Sequence, residues 1–300
     1  MIASDCPKDR PRRSALFLPA SNARAIAKAR SLLADVVILD LEDAVAPEAK
    51  VDARAAAIAA VREGGFGPRE LVVRANGLDT EWGAADLAAL AEAGAHLDAV
   101  LVPKVSSAQD VEAYHAALAS APSALALWTM IETCASVGRL EAIAATASTT
   151  RLSLWVMGTN DLAKEMRARL SPGRVPFLPI LSLAVAAARA NGLTILDGVC
   201  NEFRDLAPFR AECEQGLTFG FDGKTLIHPD QIAPCNDVFS PSIQELDWAR
   251  AVIAAFAEPE NSGKGAIRVE GKMAELLHLA EAERLVAVAQ QIVAIESSEG

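Results

Sequence analysis

Short apolar runs alternate along this chain with longer stretches whose apolar residues recur at helical spacing, the pattern of successive parallel strand–helix units. Eight runs read as strands: Ser14–Pro19, Asp35–Leu41, Glu70–Ala75, Ala99–Pro103, Ala124–Ile131, Leu152–Met157, Thr194–Val199 and Leu217–Phe221. Helical stretches lie between them, among them Asn22–Leu33, Ala49–Glu63, Trp82–Ala93, Ala108–Ala119 and Pro179–Asn191. Asn191-Gly192 closes the last of these, because both residues tolerate the left-handed conformation. Eight is the number of strands that closes a barrel, so the pattern predicts a (β/α)8 TIM barrel over residues 13–237. A C-terminal helical extension or lid follows over residues 238–300. It reads as a helix (Ile243–Ala257), a polar hinge (Glu258–Gly265), a short Ala266–Glu270 run, a long helix (Ala274–Ile295) and a frayed end from Glu296. A doubly wound open sheet would want a Gly-rich phosphate turn after the first strand. That turn reads Leu18-Pro-Ala-Ser-Asn22 instead, and neither GxGxxG nor GxxxxGK[ST] occurs.

Two acids change the picture from fold to chemistry. Glu132 and Asp161 each sit where an apolar run ends, and a carboxylate there is costly to desolvate unless something positive binds it. In a barrel both would face the rim formed by the strand C-termini, where a hard divalent cation is the natural partner. Helix N-capping is the plainer reading of the same acids. The rim also collects Asp40-Leu-Glu-Asp43, Arg74, Asn76 and Lys104. Arg74 suits capture of a substrate carboxylate, or it pairs with the Asp40–Asp43 acids. Asp40, Glu42 and Asp43 cannot all be ligands; Glu42 and Asp43 are candidates to hold metal-bound water.

Composition narrows the classes. At 52% hydrophobic with a single Tyr, the chain builds a large aliphatic core and no aromatic recognition surface. A net charge of −11 argues against nucleic-acid and anionic-membrane partners. A polyanionic ligand would need a local basic cluster, for which Arg12, Arg13, Arg24 and Lys28 are the candidates, solvated surface charge being the alternative. Cys6, Cys134, Cys200, Cys213 and Cys235 form no CxxC pair and read as reduced thiols. The N-terminal stretch, with Lys8, Arg10, Arg12 and Arg13, has no apolar core of a signal peptide, so a cytoplasmic location is expected. The uncharged Ala113–Ile131 stretch carries His115 and Pro122 and reads as helix end, turn and strand rather than a membrane span. His96, His115, His228 and His278 show no HExxH spacing; His228, after the last strand, is the one most worth locating.

Several of these strings together resemble the citrate lyase beta-subunit-like proteins, within the pyruvate/phosphoenolpyruvate-type barrel superfamily. They are Arg13-Ser-Ala-Leu-Phe-Leu-Pro-Ala-Ser-Asn22, Val36-Val-Ile-Leu-Asp-Leu-Glu-Asp-Ala-Val45, Val72-Val-Arg-Ala-Asn76, Val102-Pro-Lys104, Met130-Ile-Glu-Thr133, Gly158-Thr-Asn-Asp-Leu162 and Gly220-Phe-Asp-Gly-Lys-Thr-Leu-Ile-His-Pro229. The group includes malyl-CoA and citramalyl-CoA lyases and a malyl-CoA thioesterase. The resemblance implies Mg2+ (or Mn2+) on Glu132 and Asp161, Arg74 on the carboxylate of a 2-oxo acid, and coenzyme A near Arg13 and Lys28. It also implies an acid from the lid of an adjacent subunit, in a homo-oligomer such as a trimer or hexamer. The matching string reads Gly271-Lys-Met-Ala-Glu275, with Glu275 where Asp is usual. One extra methylene moves the acid by about 1 Å, enough to lower a rate by about two orders of magnitude.

The expected activity is Mg2+-dependent cleavage of a 3-hydroxyacyl-CoA to acetyl-CoA, or a related acyl-CoA, and a 2-oxo acid, or the reverse condensation. A malyl-CoA-type thioesterase on the same site is the alternative, told apart by free CoA as product. A non-catalytic or carrier-protein-linked citrate lyase beta-like subunit is another. Pyruvate aldolases that act without CoA resemble one another in a His near the second strand end; here no His precedes His96 and Asp43 fills that neighbourhood.

Overall fold

The computed structural model describes residues 10–93 and 96–297; Cys6 and Lys8 lie outside them. The chain divides into two compact units, the first running Arg12–Phe239 and the second beginning at Ser240. In the first, eight parallel strands close on themselves: β1 (Ser14–Pro19), β2 (Val36–Asp40), β3 (Glu70–Arg74), β4 (Ala99–Val102), β5 (Ala126–Ile131), β6 (Leu152–Met157), β7 (Thr194–Asp197) and β8 (Gly223–Leu226). Pairing of Ser14 with Lys224 and of Leu16 with Leu226 closes the ring, which rules out the open sheet. The surrounding helices are α1 (Ala23–Ala29), α2 (Lys50–Glu63), α3 (Gly83–Glu92), α4 (Ala108–Ala117), α5 (Cys134–Val137), α6 (Leu140–Ala145), α7 (Thr159–Met166), α8 (Leu178–Ala190), α9 (Leu206–Phe219) and α10 (Ile232–Phe239). Alternate strand residues face the two sides. Ala15, Ile38, Val72, Leu101, Trp128 and Val156 fill the barrel interior, and a larger cluster including Leu16, Val37, Val73 and Trp155 meets the helices.

Two expectations about the barrel need correcting. The Leu217–Phe221 run is not a strand. Most of it completes α9, which Gly220 ends in a left-handed C-cap (φ 93°). The eighth strand is Gly223–Leu226, and its fully buried Lys224 pairs with Asp197 of β7 at 2.9 Å, so a charge sits where an apolar run was sought. Arg13 does not reach the strand C-termini. It is buried at the opposite, N-terminal end of β1, where its guanidinium forks onto Asp35 at 2.9 Å for both bonds. Beside it Arg12 plugs the interior, holding both oxygens of Glu70 (2.6 and 2.8 Å) over the Trp128 ring.

In the second unit the long terminal helix starts later than its pattern suggests. Ala266–Val269 and Lys272–Glu275 form an antiparallel hairpin, β9 and β10, turned by Glu270 (φ 47°) and Gly271 (φ 82°). Ala274 and Glu275 are therefore strand, and the helix α12 runs Leu276–Ser297, the residues after it lying outside those described. Ser242 and Glu245 cap α11 (Ile243–Ala257) reciprocally, and Ala249, Val252, Ile267, Val269, Ala274 and Ala282 form the unit's own core. The expected hinge is a short turn, in which Asn261 donates to the Ala255 carbonyl at 2.8 Å and accepts from Lys264 at 2.9 Å.

One stretch, Pro172–Ala190, has the length and apolarity of a membrane span. Gly173 and Arg174 adopt left-handed conformations within it, and α8 buries Ile180, Leu181, Ala184, Val185 and Ala188 as a helix of the barrel. The Ala113–Ile131 stretch comprises the end of α4, a turn and β5.

Candidate active site

The acids expected at the strand C-termini meet there in one network. Asp40, the last residue of β2, accepts the backbone N–H groups of Glu42 (2.9 Å) and Ala44 (3.1 Å), which curls the following loop over the barrel mouth. From the end of β3, Arg74 turns its fork onto Asp40, Nε to Oδ1 at 2.7 Å and Nη2 to Oδ2 at 2.6 Å. Its remaining nitrogen, Nη1, lies 2.7 Å from Glu42 Oε2 and 3.5 Å from Asp43 Oδ2. The bidentate face of Arg74 is thus taken by its own chain. A substrate carboxylate would meet the Nη1 edge, against the loop acids. Phe17 of β1 packs its ring 5.0 Å from the guanidinium carbon and covers that face.

Glu132 and Asp161 follow β5 and β6. Glu132 is buried, and its Oε1 accepts the Lys104 backbone N–H at 2.8 Å. Among the described residues its Oε2 has no hydrogen-bond partner. Burial, with Glu42 and Asp161 adding repulsion, pushes the Glu132 carboxyl up to about 8, the Lys104 amide and Arg74 offsetting only part of this. Asp161 lies in the first turn of α7, half-buried. Gly158, just before α7, is required by the packing, because a Cβ there would overlap Glu132 Cβ and Oε2.

Glu42 is a second acid short of donors. Its Oε1 accepts from Lys104 Nζ at 2.7 Å, while Oε2, although at ion-pair distance from Arg74, lacks an aligned donor. Burial raises its carboxyl against the pull of Arg74 and Lys104. Lys104 is opposed by its own partial burial but is driven up to about 12 by Glu42. Lys50, which the pattern reading missed, donates to the carbonyls of Leu41 (2.8 Å) and Glu42 (2.6 Å) and pins the loop. No local sequence signal marks it, since its role is set by tertiary contact alone.

The remaining candidates are elsewhere. Arg24 and Lys28 are exposed on α1, with Lys28 in its last turn. His228 accepts the Asp230 N–H at 3.2 Å, caps the turn after β8 and stacks on Phe203 at 5.1 Å. Asn76 serves packing, its N–H and side-chain amide both donating to buried Asp86.

The donor set fits a magnesium ion. With every acid ionised, five carboxylates (Asp40, Glu42, Asp43, Glu132, Asp161) face three cations (Lys50, Arg74, Lys104), an excess of two negative charges that one divalent ion balances. Among the described residues no group of three His, Cys, Asp or Glu is disposed to hold a metal by itself. Mg2+ suits such a site, since it commonly takes one or two carboxylates and keeps several waters. Gly158→Ala is expected to push Glu132 aside and weaken Mg2+ binding about 10- to 100-fold, as calorimetric titration would measure.

The sequence description HpcH/HpaI aldolase/citrate lyase matches residues 13–229. The chain belongs to this family. Within it, the (3S)-malyl-CoA thioesterase of Cereibacter sphaeroides (strain KD131) is 50% identical over 288 residues, 96% of this chain and 98% of the relative. The L-malyl-CoA/beta-methylmalyl-CoA lyase of Cereibacter sphaeroides (strain ATCC 17029) is 35% identical, again over 96% and 98% of the two chains. Among solved structures, CitE from Mycobacterium tuberculosis in complex with magnesium, acetoacetate and coenzyme A superposes with a TM-score of 0.73. It is 32% identical and covers 94% of this chain and 99% of its own. These likenesses correct the expected carbon–carbon lyase, because the relatives named as thioesterases match at 50% and those named as lyases at 35%. Both Cereibacter sphaeroides relatives are named for CoA esters, and magnesium accompanies coenzyme A in the CitE structure.

Proposed function

We propose that the chain is a Mg2+-dependent thioesterase that hydrolyses (3S)-malyl-CoA, or a closely related 3-hydroxyacyl-CoA with a free carboxylate, to the hydroxy acid and CoA. The observation that carries this reading is the 50% identity to (3S)-malyl-CoA thioesterase, which extends over 96% of the chain. Glu132 and Asp161 are the cation's ligands in this reading, and Glu42 and Asp43 orient water around it. When bound, Mg2+ supplies Lewis-acid charge to the oxygens of the substrate. Arg74 takes the free carboxylate on its Nη1 edge, which holds the acyl chain in one orientation. Water adds to the thioester carbonyl carbon, the carbon–sulfur bond breaks, and the proton lost by the water is returned to the departing CoA sulfur. Glu275 is the lid acid in this reading, presented by a second copy in a homo-oligomer. Its backbone N–H donates to His278 Nδ1 at 2.9 Å, and its carboxylate has no hydrogen bond among the described residues.

The test is incubation of the full chain with Mg2+ and (3S)-malyl-CoA, following free thiol, malate, acetyl-CoA and glyoxylate together. Stoichiometric thiol and malate, lost in Asp161→Ala, are expected. Acetyl-CoA with glyoxylate in place of free thiol would sink the hydrolytic reading.

A further inference from the structure

We propose that Lys104 is a positioning residue that withholds Glu42 from the cation, so that Glu132 and Asp161 alone hold it and water and substrate keep the remaining positions. The inference rests on the Mg2+ site of the proposed function. Lys104 directly follows Pro103 at the end of β4 and has φ 54°, the left-handed region, a conformation that is strained for a residue with a Cβ. Of the three other non-glycine residues with such angles among the described residues, Glu270 stands in a hairpin turn, Arg167 at the C-cap of α7 and Arg174 in the turn before α8.

At Lys104 the conformation has a different consequence: one residue touches both donor-poor acids. Its amide is turned onto Glu132 Oε1 at 2.8 Å, and its side chain reaches Glu42 Oε1 at 2.7 Å. A glycine would adopt the angle without cost and would supply the amide, so a lysine here points to use of the ammonium.

Glu42 would otherwise be a ligand. It is buried, its Oε2 lacks an aligned donor among the described residues, and Lys104 bonds both it and Glu132, which gathers the two carboxylates around one residue. Its backbone cannot move away, because its N–H is held by Asp40 and its carbonyl by Lys50. Only its side chain is free to choose a partner. Arg74 is committed to Asp40 through two bonds and meets Glu42 Oε2 at 2.7 Å as an ion pair without an aligned hydrogen bond, so Lys104 supplies the one aligned hydrogen bond to the Glu42 carboxylate among the described residues. With Lys104 absent, Glu42 would join Glu132 and Asp161 as a third carboxylate. The cation would then bind more tightly and with fewer open positions, and an open position is what a catalytic metal needs.

The experiment is calorimetric titration of Mg2+ into the metal-free full chain, with wild type, Lys104→Gly, Lys104→Arg, Glu42→Gln and the Lys104→Gly/Glu42→Gln double variant. Glycine preserves the left-handed backbone and its amide to Glu132. The expected results are at least about tenfold tighter Mg2+ binding in Lys104→Gly, near wild-type affinity in Lys104→Arg, and a lowered kcat at unchanged or lower KM in Lys104→Gly. In the Glu42→Gln background the tightening should vanish. Unchanged or weaker binding in Lys104→Gly would overturn the proposal. So would tightening that persists in the double variant, which would reduce the effect to the loss of one positive charge. No Mg2+ binding by the wild type would remove the metal site and the proposal together, an outcome distinct from the other two.

Discussion

Glu132→Gln is expected to lower thioester hydrolysis by about a thousandfold or more while making the metal-free chain more stable. The first half follows from charge. Glu132 has a buried Oε2 without a partner among the described residues, and if the proposed cation binds there, the Lewis-acid contribution that depends on it is worth several kcal/mol, or about three orders of magnitude in rate. The second half follows from the carboxyl's raised pKa of about 8, against 4.5 ordinarily. A raised carboxyl contributes stability that is full below about pH 4.5 and is lost as the pH climbs to about 8. Above that the metal-free fold carries a buried charge at a cost on the order of a few kcal/mol. Gln keeps an oxygen for the Lys104 amide and never ionises. Thermal unfolding in EDTA should therefore show the variant pulling ahead of wild type between pH 5 and 8, by several degrees at the upper end. Added Mg2+ should raise the wild-type Tm and leave the variant's unmoved. A variant less stable than wild type at pH 8 in EDTA would show that Glu132 is not held at a cost.

The acids of this site were legible in the sequence because desolvation makes a carboxylate at the end of an apolar run conspicuous wherever the run goes. What binds Arg74 was not, since Asp40 and Arg74 lie 34 residues apart and only the register of β2 on β3, which pairs them directly, decides who takes the fork. Lys50 was invisible for the same reason. Arg13 and Lys28 share a positive charge but not a location, since Arg13 pairs with Asp35 at the N-terminal end of β1 while Lys28 is exposed on α1. The barrel was countable from alternation, yet its eighth strand was misplaced: an apolar run at a helix end outscored Gly223-Lys-Thr-Leu226, whose lysine is hidden by an ion pair and not by apolarity. The choice between hydrolysis and carbon–carbon cleavage was not legible from the motifs. Relatives named for either reaction align over 96% of this chain, so membership of the family does not separate the two.

That hidden lysine makes the largest stability prediction. Lys224 is fully buried with its Nζ 2.9 Å from Asp197 Oδ2 and 3.2 Å from Glu212 Oε2. Asp197 also holds Arg174 through both oxygens, at 2.7 and 2.8 Å. Two acids and two bases therefore balance between β7, β8, α9 and the segment before α8. Burial alone would raise the Asp197 carboxyl, but Lys224 and Arg174 outweigh it and hold it low. Lys224→Met keeps most of the volume and removes one charge, leaving Asp197 and Glu212 to share Arg174. Breaking a buried ionic group in this way costs about 3–5 kcal/mol, so a fall in Tm on the order of 10 °C is expected. Adding Glu212→Gln restores the balance and should recover part of that loss, which an uncharged packing defect at position 224 would not permit. The same cluster sets the acid limit of the fold. A carboxyl held below its ordinary 3.8 contributes stability that is present above that pH and lost as the pH falls through its lowered value. Wild type should therefore lose stability more steeply below about pH 4 than a Lys224→Met/Asp197→Asn variant, in which the lowered carboxyl is gone. Parallel acid-unfolding curves would refute the assignment of that stability to Asp197.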